Sequence, residues 1–156
     1  MKLIFDYNNF SLETRIKLQI KIAEIHKYFL FYEDHKNEFN KNSDNENTFH
    51  NMAHHAIYVL YRSLFKDIEK KCIDITAFTK VEDIIEAHKS IMNLVDKDIC
   101  HHDKNSKSFK VENVSNLQIY GSTVVGQNFL SDEQLKIAVE FLVKVILPKI
   151  QNTPLK

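Results

Sequence analysis

At 156 residues, 44% of them apolar and 27% charged, the chain has the size and make-up of one globular domain that can bury a core without disulfide staples. Its 21 basic and 21 acidic residues cancel, so no overall positive field draws in nucleic acid, and any RNA contact has to be local or created by assembly. Two glycines, two prolines and no tryptophan argue for helices over many short strands.

The N-terminal MKLIFDYNNF is too poor in apolar residues for a secretory signal, and no run approaches the ~18–20 residues of a membrane span. Cys72 and Cys100 stand far apart, outside any CxxC pair, which fits free thiols in the cytoplasm. Ser11 is placed to cap a first helix, with Glu13 in its first turn, running to about Asn37. Apolar residues at 16, 20, 23 and 30, and at 18, 22, 25, 29 and 32, form two adjacent stripes and predict one broad buried face. Lys36–Asn47 reads as a polar loop. A second helix is expected from near Thr48, with Ala53, Ile57, Leu60, Leu64 and Ile68 on its core side.

After a connector over Asp74–Thr79, Thr79-Lys80-Val81-Glu82 fits a capping box. It would open a third helix with Val81, Ile84, Ile85, Ile91, Met92, Val95 and Ile99 inward, ending at His101-His102-Asp103. Asp103–Leu130 holds both glycines and β-branched pieces such as LQIYGSTVV, so a hairpin or an ordered loop fits. Ser131-Asp132-Glu133-Gln134 is a second capping box, opening a last helix with Leu135, Ala138, Leu142 and Val145 inward and Pro148 at its end. The pattern predicts an all-α fold over residues 1–156: an up-down bundle of four to five helices, with a loop or short hairpin before the last.

The densest chemistry lies in DKDICHHDK, Asp96 to Lys104. Lys97 and His101 are i,i+4, as are Asp98 and His102, near a helix C-terminus where imidazolium is favoured. A carboxylate beside a histidine suits acid–base work, and a cation is needed to stabilise a phosphate. The same residues also suit a solvated helix end that does no chemistry.

This stretch resembles the closing motif of HEPN domains of the abortive-infection type. Asp96-Lys97 matches the Asp-Lys of the motif, Cys100 its small residue, His101 its histidine and Asp103 its trailing acid; YRSLFKD, Tyr61 to Asp67, is similar to a second family pattern. The resemblance implies a helical homodimer formed through the motif helices, and in catalytic members a metal-independent RNase without cofactor. Carried over by position, Asp96 orients, His101 is the acid–base residue and His102 a substitute for it. Val95 stands where the family has its phosphate-binding arginine, and valine makes no charge-assisted bond. Either Lys97 with His102 forms a shifted motif, or catalysis has lapsed and an RNA- or protein-binding module remains. Bacterial defence, with an antitoxin or defence-system partner and no membrane, is the implied setting.

The remaining histidines offer a rival. His50 and His54 are i,i+4 on the second helix, a spacing that brings two imidazoles to one metal; His101 or His102 would complete a site between helices. That arrangement is similar to DinB-like metal bundles. FHNMAHHA, Phe49 to Ala56, weakly resembles the opening of HD-domain phosphohydrolases, for which Asp132 is the one later aspartate available. His26 neighbours a core stripe and is expected as a satisfied interfacial residue, and His88, on the face of Val81 and Val95, as either buried and hydrogen-bonded or at a subunit contact. Arg62, one of two arginines, is expected to pair with Asp67 or Glu69.

Overall fold

The computed structural model describes residues 1–38, 44–96, 108–110, 123–125 and 129–154. Its architecture is mostly helical, with two very small sheets among the described residues, in agreement with the expected bundle. Among the described residues no helix is long and apolar enough to cross a membrane.

Strand β1 (Lys2–Ile4) pairs in parallel with β2 (Lys71–Ile73), matching Lys2 with Lys71 and Ile4 with Ile73. Helix α1 (Leu12–His35) starts at Ser11, whose hydroxyl accepts the Thr14 amide. Only one of its two apolar stripes is buried. Leu18, Ile22, Ile25, Phe29 and Tyr32 enter the core, whereas Ile16, Ile20 and Leu30 are each about half exposed. Neighbours cover one side of this helix, so its apolar content overstates its buried face. Arg15 is buried, and its Nη1 donates to the Thr153 carbonyl at 2.7 Å, tying α1 to the C-terminal turn.

Helix α2 (Asp44–Arg62) begins earlier than the polar composition of its first turn predicts. It delivers Ile57, Tyr58 and Tyr61 to the core, and Leu64 and Phe65 follow in the turns beyond it. The link to β2 is tight: Asp67, Glu69 and Lys70 all have positive φ, an uncommon conformation for residues with a Cβ. The Glu69 carboxylate accepts from Thr14 Oγ1, and Arg62 Nη1 meets Asp67 at 2.9 Å, anchoring the turn from both sides.

Helix α3 (Glu82–Leu94) has Val81 as its N-cap, with no side-chain cap. The expected capping box at Thr79 therefore does not form. Thr79 Oγ1 accepts the Val81 amide two residues on, which holds the chain extended and delays the helix, and Val81 is left half exposed. Ala87, His88, Ile91 and Val95 face the core. Strands β3 (Ser108–Lys110) and β4 (Thr123–Val125) pair antiparallel, which favours a hairpin over a plain loop before the last helix.

Helix α4 (Asp132–Phe141) opens with the expected capping box between Ser131 and Gln134. It runs through a π turn (Leu142–Ile146) into α5 (Leu147–Gln151). Pro148 does not end the helix: it sits in the first turn of α5, where its missing N–H is tolerated. Helix α1 packs on α2 and on α5, and α3 packs on α4, around one shared hydrophobic core.

Candidate metal centre

Of the polar strip, Asp96 alone is described; Lys97, His101 and His102 lie outside the described residues. Asp96 Oδ1 meets Arg62 Nε at 2.5 Å and its Oδ2 meets Lys66 Nζ at 2.6 Å. Burial would raise this carboxyl, but the bonds from Lys66 and Arg62 outweigh it and hold the group below the usual carboxylate range. Arg62 also pairs with Asp67, as expected, so this corner is an ion network of two cations and two anions. Val95 is fully buried, so packing explains why a valine stands there.

A second cluster forms at the other end of α2. His50 and His54 project from successive turns with their rings stacked, centroids 4.0 Å apart. Asp132 arrives from the first turn of α4, where the helix N-terminus favours a negative charge. One ligand-capable atom from each of His50, His54 and Asp132 lies within 4.8 Å of the other two. The metal set expected from sequence was His50, His54, His101 and His102. Among the described residues its first two members are joined by Asp132, and its last two lie outside that set.

The surroundings are aromatic and ordered by hydrogen bonds. Tyr32 Oη donates to Asp132 Oδ1 at 2.8 Å and also contacts His50 Nδ1 at 2.9 Å. Lys36 Nζ binds Asp132 Oδ2 at 3.1 Å and Glu33 at 2.8 Å. Tyr58 Oη accepts the Leu130 amide at 2.9 Å and meets His54 Nδ1 at 2.7 Å. The Phe129 ring lies 5.6 Å from both His50 and His54. For Asp132, burial would raise the pKa, yet the bonds from Tyr32 and Lys36 prevail and keep it a carboxylate. His54 is pushed down to about 3, first by burial and then by His50, against the pull of Asp132, so it is neutral at ordinary pH. Burial, followed by the bond to Asp132, raises the Tyr32 phenol, which therefore keeps its proton.

His54 is fully buried, and among the described residues its Nε2 has no hydrogen-bond partner. An orphaned buried nitrogen costs about 1–3 kcal/mol, and a cation would remove that cost. Two imidazoles and a carboxylate form a donor set suited to Zn²⁺, Fe²⁺ or Mn²⁺, with coordination positions to spare for water or substrate.

Sequence reasoning missed Tyr32, Lys36 and Tyr58. Tyr32 lies on the buried stripe of α1 and Tyr58 stands i,i+4 from His54; each looked like core packing because its ring is core packing. Comparison of the chain with protein-family models, curated proteins and solved structures finds no significant match.

Proposed function

We propose that the protein is a metal-binding helical bundle acting as a metal-dependent hydrolase, with His50, His54 and Asp132 as protein ligands. The observation that carries this reading is the convergence of the three side chains, one of which, the buried His54, has a ring nitrogen with no partner among the described residues. Three protein ligands match catalytic sites, which keep a position open, better than closed structural ones. The bound cation would supply an activated water or polarise an oxygen of the substrate. The Asp132 side chain is 44% exposed, which gives the cluster an approach from solvent. The test is elemental analysis of protein purified without a histidine tag. A stoichiometric transition metal, lost in His54→Ala and Asp132→Ala, is expected. Protein that neither retains nor takes up such a metal would end this reading.

A second reading keeps the HEPN resemblance and rests on the Asp96 corner. The cation absent at position 95 is supplied from the neighbouring segment by Arg62 and Lys66. In this reading a cytoplasmic homodimer of the bacterial defence type joins two such corners, and a phosphate of RNA displaces the carboxylates from the cations. Asp96 and Lys97 position and hold the phosphate, and His101 or His102 moves the proton. RNA cleavage that survives EDTA and vanishes in the double variant His101→Ala/His102→Ala is the expected result. Uncleaved but bound RNA would leave a lapsed binding module, and absence of both would remove the reading. The first reading is preferred because the Asp96 corner already satisfies its own charges.

A further inference from the structure

Within the metal reading, on which this inference rests, the proton inventory around Tyr32 says more than the ligand set alone. A tyrosine hydroxyl has one proton to give, and an ionised carboxylate only accepts. An aspartate ordinarily ionises at about pH 4, so near neutral pH Asp132 accepts, and the Tyr32 proton goes to its Oδ1. The contact with His50 Nδ1 at 2.9 Å must then run the other way, from an Nδ1–H into the tyrosine oxygen. That engages Nδ1 of His50 with Tyr32, so Nε2 is the ring nitrogen that a cation would take. The same bond commits one oxygen of Asp132 to Tyr32 and leaves Oδ2, now on the Lys36 ammonium, as the oxygen a cation would take.

We propose that Tyr32 is the positioning residue of this centre: its hydroxyl bridges two ligands, holds His50 in the tautomer that coordinates through Nε2, and directs Asp132 to coordinate through Oδ2. The ring alone does not explain the residue. Tyr32 is 3% exposed on a stripe whose other members are Leu18, Ile22, Ile25 and Phe29, and a phenylalanine would fill that place equally well. The hydroxyl is the added feature, and it reaches two separate helices at once. Metal-ligating histidines ordinarily donate their second ring N–H to a fixed oxygen, which sets ring orientation and raises ligand basicity. Here the oxygen belongs to a tyrosine that is itself anchored by a second ligand, so the two ligands are set together.

The experiment uses full-length protein with ¹⁵N-labelled histidine and zinc as the probe. In the metal-free wild type, the ring-nitrogen shifts of His50 should report Nδ1–H, and on zinc addition Nε2 should become the ligand. Tyr32→Phe should lose that tautomer preference and bind zinc about 10–100-fold more weakly, while its far-ultraviolet circular dichroism stays native. Lys36→Met is the companion variant: it removes a neighbour of Asp132 but not the tyrosine bridge, and should keep the tautomer. Coordination through Nδ1 in the wild type overturns the proposal without a variant being needed. So does Tyr32→Phe with unchanged zinc affinity and tautomer. A wild type that binds no zinc removes the centre itself, and with it the proposal; that result is distinct from the two in which zinc binds but Tyr32 does not govern it.

Discussion

The two ends of α2 carry polar clusters of opposite character. At the C-terminal end, Arg62, Lys66, Asp67 and Asp96 pair so completely that each charge has a counter-charge within 3 Å. Toward the N-terminal end, His50, His54 and Asp132 include a buried nitrogen with no partner among the described residues. The first is rich in charge and chemically satisfied; the second has less charge and is unfinished. Charge density in a sequence marks where polar groups meet, but availability for chemistry depends on which of them remain unpaired.

The largest expected effect separates the two ends by metal affinity. Asp132→Ala removes a ligand and should weaken zinc or cobalt binding by more than the roughly 10–100-fold typical of supporting residues. Asp96→Ala should leave that affinity within about twofold, since its partners Arg62 and Lys66 belong to the other cluster. Isothermal titration with each variant checks both. Equal losses would mean that the two ends are coupled through α2 and do not act as separate clusters.

The second effect concerns a buried histidine that belongs to neither cluster. His88 accepts or donates at Nδ1 with Tyr61 Oη at 3.2 Å, and the Phe65 ring lies 4.7 Å away. Burial pushes its imidazole down to about 4, with Asp74 opposing and Lys89 assisting. An ordinary histidine titrates near 6.5, so between these values the unfolded chain binds a proton that the folded chain does not. Stability should therefore fall as pH drops from about 6.5 to about 4, with a slope approaching about 1.4 kcal/mol per unit from this residue, and this contribution should be flat above and below that window. Urea unfolding of wild type and His88→Gln across the range tests it; an unchanged slope in the variant would contradict the assignment.

Much of the fold was legible because periodicity reports burial. The stripe at 18, 22, 25, 29 and 32, the core side of α2 and the Ser131 cap all follow from local rules. The parallel pairing of β1 with β2 was not legible, because it joins segments nearly seventy positions apart and each is three residues long. Exposure of Ile16 and Ile20 was hidden for a related reason: which of two apolar stripes is covered depends on where neighbours pack. The candidate centre was half legible. His50 and His54 stand out by their i,i+4 spacing within one helix, whereas Asp132 joins them only through tertiary contact, and its role in the first turn of α4 explained it well enough alone.

At the charged end, Asp96→Ala should also cost stability. Among the described residues it removes the carboxylate that Lys66 and Arg62 share and leaves Arg62 paired with Asp67, the two cations having side-chain exposures of 33% and 18%. Partly exposed pairs of this kind are worth about 1 kcal/mol, and less as salt rises. Chemical denaturation at low and high ionic strength should show the deficit shrinking with salt. A loss of several kcal/mol that ignores salt would reveal a packing role in place of an electrostatic one.

The smallest effect tests how the quieter end is built. Ser131 Oγ accepts the Gln134 amide at 3.2 Å, and Gln134 Oε1 accepts the Ser131 amide at 3.1 Å, so the start of α4 is fixed one residue before Asp132. Ser131→Ala should cost about 1 kcal/mol through the lost cap. It should also loosen the turn that carries the carboxylate, weakening metal binding by a few-fold at most, since Tyr32 and Lys36 still hold Asp132 from α1 and its C-terminal cap. The two readouts respond to different parts of the molecule: stability depends on the helix end, affinity on the carboxylate. A Ser131→Ala protein with the full stability loss and unaltered affinity would mean that the contacts from α1 alone set the ligand, and would place the organising part of the centre in α1, not in the helix that supplies the aspartate.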